Sequence, residues 1–319
     1  MSAAGGPGLA LVTGAAGFIG SHLGEALVAR GFEVVGVDCF TDYYDPAIKR
    51  RNLAGLLAGP RFRLLELDLS SADLADLPAR PRWVFHQAAQ AGVRASWGRE
   101  FESYARHNVL ATQRLLERYR DVDVERVVVA SSSSVYGDAE RLPTTEEDLP
   151  RPYSPYGVTK LAAEHLALLY ARNFGLPAVA LRYFTVYGPR QRPDMGFHRF
   201  VSALLAARPI TVYGDGEQTR DFTFIADAVA ANLAAAERGT AGRAYNIGGG
   251  SRVSVNHVLA ELGRLAGIAP IVEHGAAQPG DPRDTGANIA RARTDLAWSP
   301  SVALAEGLAR QLAWQREGA

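Results

Sequence analysis

The stretch Leu9-Ala-Leu-Val-Thr13-Gly14-Ala-Ala-Gly17-Phe18-Ile19-Gly20 decides how this chain is read. A short apolar run suits a buried strand, and the residues after the glycines, Ser21–Arg30, follow a helical pattern. Strand, glycine turn and helix in that order give the glycines a physical purpose. Gly14 and Gly17 let backbone N–H groups approach a pyrophosphate at the helix N-terminus, and Gly20 permits close packing on the strand.

Outward from this turn, the apolar run Phe32–Val37 ends at Asp38. A carboxylate there accepts the adenosine 2′ and 3′ hydroxyls and repels a 2′-phosphate, which favours NAD over NADP. The run Phe62–Leu67 ends at Asp68-Leu69, placed to meet the adenine edge. Trp83–Phe85 leads into His86-Gln-Ala-Ala89, where small alanines such as Ala88 let the backbone approach the cofactor and His86 reads as structural. Glu100–Arg120 reads as a helix carrying Asn108, and Arg126–Ala130 as a buried strand ending in the serine run Ser131–Ser134. Strands alternating with helices predict an α/β fold with a parallel, doubly wound sheet.

The apolar and charged fractions, 47% and 21%, are ordinary for a soluble globular protein. The 319 residues carry a formal net charge of zero, so no basic field argues for nucleic acid or an anionic membrane. A single cysteine, Cys39, excludes an internal disulfide and supplies no metal cluster. Met1–Gly8 lacks the basic start and apolar run of a signal peptide, and no apolar run is long enough to span a bilayer. These features predict a cytoplasmic protein with no bound metal.

Tyr153-Ser-Pro-Tyr156-Gly-Val-Thr-Lys160 opens a long apolar helix. Residues four apart share a helical face, so the Tyr156 phenol and the Lys160 ammonium can project into one cleft. A phenol titrates near pH ~10, and a neighbouring cation favours its ionised form. Only Lys49 and Lys160 are lysines; every other basic side chain apart from histidine is arginine, which cannot replace a compact ammonium with a movable pKa. The helix Tyr156–Phe174 is apolar nearly all round, which suggests a sheet on one side and a second copy of the chain on the other.

Taken together, these motifs and the run Arg182-Tyr-Phe-Thr-Val-Tyr-Gly-Pro189 resemble the extended short-chain dehydrogenases, over most of the chain. The chain is similar in particular to the nucleotide-sugar epimerase branch that acts on UDP-glucuronate. The resemblance implies a Rossmann-type sheet in residues 1–183, with returning segments at about 222–250, interleaved with a smaller UDP-sugar-binding domain in 184–221 and 251–319. It implies Ser132, Tyr156 and Lys160 as the catalytic set. NAD would be held by Gly14, Gly17, Phe18, Ile19, Gly20, Asp38, Asp68, Leu69, Ala88, Asn108, Tyr156, Lys160 and Tyr183. Arg220 and Arg283 would grip the UDP pyrophosphate, and Tyr213 would pack near the uracil.

The reaction so implied is an isomerisation at the sugar C4 through a 4-keto intermediate. With a uronic acid that intermediate is a β-keto acid, so its carboxylate must be clamped. Ser133, Ser134 and Thr185 can donate hydrogen bonds to it, while Arg192 and Arg94 can supply charge. Dehydratases of this type carry an acid and a base where Ser133 and Ser134 stand, and decarboxylases commonly carry Glu at the Ser134 position. Thr185 replaces the Asn found in UDP-galactose 4-epimerases. Four readings stay open: a UDP-glucuronate/UDP-galacturonate 4-epimerase, a UDP-glucose/UDP-galactose-type 4-epimerase with relaxed C5 tolerance, a UDP-glucuronate decarboxylase, and a non-catalytic NAD-binding regulator. The expected assembly is a homodimer.

Overall fold

Seven parallel strands form the central sheet of the computed structural model, which describes residues 7–276, 278 and 280–318. Most of the N-terminal stretch read for a signal peptide (residues 1–6) and the final residue, 319, therefore lie outside the described residues. From one edge the strands run Ala244–Ile247, Ala178–Tyr183, Arg126–Ser132, Trp83–His86, Leu9–Thr13, Glu33–Asp38 and Phe62–Glu66. This is a Rossmann-type doubly wound sheet, whose winding reverses between Leu9–Thr13 and Trp83–His86, with Thr13 opposite His86. A crevice opens beyond the carboxyl ends of the strands at that point.

Both faces of the sheet are covered, so the strands read as continuous apolar runs rather than alternating ones. Ala10, Val12, Phe85 and Val128 enter one core, while Leu11, Val84, Val127 and Val129 enter the other. The helix Phe18–Ala29 packs against Ile225–Arg238 on the first face, so the chain returns to this layer late, as do residues 244–247 in the sheet. On the other face Pro155–Phe174 lies across Arg126–Ser132 and Ala178–Tyr183. Away from the sheet, the helices Gly196–Leu205, Val255–Ala266 and Leu304–Glu317 pack together beside the two-stranded pair Ile210–Tyr213 and Val272–Gly275.

The stretch expected as one helix, Glu100–Arg120, is interrupted. Phe101–Tyr104 and Ala111–Tyr119 are α-helical, with a π-helical segment, Ala105–Leu110, between them. A residue inserted in a helical ladder often serves a site. Here it carries Asn108, whose Oδ1 accepts from the Gln90 amide at 2.7 Å and whose Nδ2 donates to the Gln90 carbonyl and Thr159 Oγ1. The helix expected over His198–Ala207 ends at Leu205, because Ala207 turns into the left-handed region (φ 51°).

Candidate active site

The crevice opens into a cavity of about 1030 Å³ that runs from Gly14 to Arg283. At one end the wall is backbone. Gly14 has φ +67°, and a Cβ there would lie 2.7 Å from the Ala88 amide nitrogen. A Cβ on Gly20 would lie 2.0 Å from the Gly14 carbonyl oxygen, so the helix can start this close only with glycine at both places. Gly17 caps that helix with no side chain, which leaves the first amides of the Phe18–Ile19 turn to a ligand. Asp38 is fixed beside them, its Oδ2 accepting from the Ala16 amide and its Oδ1 from the Phe40 amide. This donor and acceptor set fits the pyrophosphate and ribose of a dinucleotide.

Further along this end, Asp68 Oδ1 accepts from the Ser70 amide and hydroxyl. Burial opposes its ionisation, but these Ser70 bonds prevail and leave the carboxyl below its usual range. Leu69 and Ala88 also line the wall. Cys39, Asp68 and His107 bring ligand atoms within 4.8 Å of one another here, a grouping not anticipated from a lone cysteine.

Two residues expected at the cofactor do not line the cavity. Gly20 is spent on helix packing, and Asn108, with all its amide groups bonded to protein, pins the Gln90 backbone to the Tyr156 helix. Tyr183 lines the cavity while its hydroxyl donates to Asn232 Oδ1 at 2.9 Å. His86 is bonded through both ring nitrogens, to Thr13 and Thr112 hydroxyls, and burial lowers its pKa to about 3. It stays neutral, as a structural histidine should.

Midway, Ser132 and Tyr156 face the cavity from adjoining elements. Ser132 ends the strand Arg126–Ser132, and its Oγ accepts from the Ser134 amide. The helix Pro155–Phe174 begins with a Ser154 cap, whose hydroxyl accepts from the Gly157 amide, and with Pro155 in its first turn. A Cβ on Gly157 would lie 2.5 Å from the Ser134 carbonyl oxygen, so this glycine lets the helix start press against the serine loop. Lys160 follows one turn later, and burial lowers its pKa to about 8, while Glu164 on the next turn opposes the fall.

A second cation, besides the lysine expected, bears on the tyrosine. Burial dominates and raises the Tyr156 pKa; the hydrogen-bonding Ser132 hydroxyl and the Arg192 guanidinium pull it down. Arg192 is thus a cation bearing on the phenol that the Tyr156–Lys160 spacing did not announce. Arg192 reaches it from a loop distant in sequence.

At the far end the wall is made of charged side chains. Arg220 donates to the Thr219 and Arg283 carbonyls, so its guanidinium is aimed by backbone. Arg283 pairs with Asp215 at 3.3 Å. Arg94, considered for the sugar carboxylate, instead binds Asp281 at 2.6 Å and lies 4.4 Å over the Tyr213 ring, beside Arg220. Ser133, Ser134, Thr185 and Arg192 line the stretch nearer Tyr156.

Several participants went unread in the sequence. Glu164 forms a buried two-pronged pair with Arg182 (2.6 and 2.9 Å) and accepts from Ser131, which locks the catalytic helix to two strands. Its position four residues after Lys160 was a usable signal. Lys49, the chain's other lysine, holds the loop after Asp38 by donating to Thr41. Asp194, bonded to Arg192, and Tyr43, bonded to Asp194, left no signal beyond the proximity of Asp194 to Arg192 in sequence.

Fold and site together define a dinucleotide-binding enzyme in which a tyrosine, a serine and a lysine meet beside the cofactor end of one cavity. The chain belongs to the NAD dependent epimerase/dehydratase family, which it matches over residues 10–248. It is 42% identical to a UDP-glucuronic acid 4-epimerase from Bacillus cereus, crystallised with UDP-glucuronic acid and NAD, with a TM-score of 0.95 over 98% of this chain and all of that one. It is 44% identical to an uncharacterized UDP-glucose epimerase of Bacillus subtilis (95% of this chain, 96% of that protein). A UDP-glucuronate 4-epimerase of Thermodesulfobacterium geofontis is 38% identical, with 97% of each chain covered.

Proposed function

We propose that this protein is an NAD-dependent 4-epimerase that interconverts UDP-glucuronic and UDP-galacturonic acid. The observation that carries the reading is Tyr156 lining one cavity with Ser132, Lys160 and Arg192, with serines rather than carboxylic acids at positions 133 and 134. Residues 1–183 and about 222–250 would hold the cofactor, and 184–221 with 251–319 the UDP-sugar.

Tyr156, as phenolate, takes the proton of the sugar 4-hydroxyl, and Ser132 hydrogen-bonds the same oxygen. NAD, when bound, supplies the acceptor and then the donor of one hydride at C4. The 4-keto sugar turns over before the Tyr156 phenol returns its proton, so the configuration inverts. Through this turn Arg192, Thr185, Ser133 and Ser134 hold the C5 carboxylate, because a β-keto acid loses carbon dioxide once its carboxylate is released. Ser133 and Ser134 cannot perform the proton transfers of a dehydration at neutral pH. Arg220 and Arg283 take the pyrophosphate, with Arg94 and Tyr213 at the nucleoside.

Among the described residues no helix is long and apolar enough to cross a membrane, and we read the enzyme as cytoplasmic. Leu110, Val158, Leu169 and Phe174 are exposed on two neighbouring helices, which supports a homodimer joined through them. The name of the Bacillus subtilis relative favours a second reading, a UDP-glucose 4-epimerase. Incubation with UDP-glucuronate, UDP-glucose and UDP-xylose separately, with chromatography and carbon dioxide measurement, separates the two. The uronate should epimerise fastest with little carbon dioxide; faster conversion of UDP-glucose would reverse the assignment.

A further inference from the structure

Arg192 does not meet its substrate as a loose side chain. Its Nε and Nη2 donate to the two oxygens of Asp194, each at 3.0 Å, and Tyr43 donates to Asp194 Oδ2 at 3.2 Å. A guanidinium has five N–H groups in a rigid fork, so a carboxylate on the Nε/Nη2 edge leaves the Nη1/Nη2 edge for a second one. No hydrogen bond joins Arg192 Nη1 to another described residue, and Arg192, Asp194 and Tyr43 line the cavity with Tyr156.

Tyr43 is itself placed by packing. It stands in the loop that follows Asp38, which Lys49 braces at Thr41. Its hydroxyl lies where a Cβ on Gly92 would come within 2.2 Å, so glycine at 92 leaves room for it in this position. The Gly92 carbonyl accepts from Tyr104, whose ring meets that of Tyr156 edge-on with centroids 6.2 Å apart. The brace on Arg192 therefore shares its footing with the ring of the base.

We propose that Asp194 and Tyr43 are positioning residues, which hold Arg192 by one edge so that its other edge meets the C5 carboxylate of the 4-keto uronate and keeps it from leaving. This rests on the uronate reading above. The loss it guards against is balanced without a co-reactant. The C5–C6 bond breaks, its electron pair passes to the C4 carbonyl as an enolate, carbon dioxide departs, and C5 then takes up a proton.

The test compares wild type, Asp194→Asn and Tyr43→Phe on UDP-glucuronate, recording carbon dioxide released per epimerisation, KM, bound NAD after purification and the melting midpoint. Asp194→Asn should raise the carbon dioxide share about tenfold, and Tyr43→Phe about threefold, as expected for one charged and one neutral hydrogen bond lost. Bound NAD should be unchanged. If Asp194 instead competes with the substrate, Asp194→Asn will lower KM and leave the partition alone, which overturns the proposal. So does an unchanged partition in both variants of an enzyme that epimerises the uronate. Should Asp194→Asn fold poorly, Tyr43→Phe, which removes one hydroxyl, decides alone. A wild-type enzyme inert towards UDP-glucuronate would instead defeat the functional reading, and this inference with it.

Discussion

The dinucleotide end of the cavity is made by backbone, in glycines that admit no Cβ and amides that fix Asp38, whereas the sugar end is made by long charged side chains. Most of the first is contained in residues 14–89 and folds as consecutive strand–turn–helix units. The second joins Arg94 to Asp281, 187 positions apart, and Arg220 to the Arg283 carbonyl, 63 apart. A wall of backbone has one shape and suits a cofactor that stays the same through every turnover. A wall of paired arginines and carboxylates can exchange partners, which suits substrates that enter, rotate and leave.

Tyr156→Phe, at the junction of the two ends, should have the largest effect: turnover falls by about 10³ through loss of the acid–base group, with NAD and UDP-sugar binding kept. Retained turnover would remove Tyr156 as the base. Next comes Gly20→Ala at the backbone end. A methyl 2.0 Å from the Gly14 carbonyl forces a backbone shift, so we expect a loss of about 3 kcal/mol in stability and of bound NAD in the purified enzyme. A variant that melts and binds NAD like wild type would show that this end is adjustable after all.

Arg192→Ala sharpens the contrast from the other side. It should cost about 100-fold in kcat/KM on UDP-glucuronate and far less on UDP-glucose. Removing a cation that lowers the Tyr156 pKa must raise that pKa, so the acid limb of the kcat profile should move to higher pH. Equal losses on both sugars would detach Arg192 from the carboxylate, and an unmoved limb would detach it from the phenol. Asp38→Ala should narrow the preference for NAD over NADP about tenfold, and unchanged discrimination would place ribose recognition elsewhere. Arg94→Ala comes last. Its partly exposed pair with Asp281 should contribute less than about 1 kcal/mol to stability, with the effect confined to KM for the nucleotide.

Much of this could be read before any coordinates. The strand–glycine–helix unit, Asp38 at a strand end and Tyr156 four residues before Lys160 are local patterns, whose geometry follows from the period of a strand or helix. That the sheet is parallel and doubly wound followed from the same alternation of strands and helices. What escaped was whatever depended on which distant side chains meet. Asn108 was expected at the cofactor, but a π-helical turn redirects it to Gln90. Arg94 was considered for the sugar carboxylate, but Asp281 and Tyr213 hold it at the other end.

The amino-acid sequence by itself determined the parallel α/β sheet, the dinucleotide turn and the alignment of phenol and amine on one helix face. These rest on contacts among near neighbours, and their spacing encodes them. Only the tertiary structure decided that Arg192 bears on Tyr156, that Glu164 and Arg182 lock the catalytic helix, and that Asp194, held by Tyr43, grips Arg192. Electrostatic effects depend on distance through space and on burial, and neither is written in the order of residues.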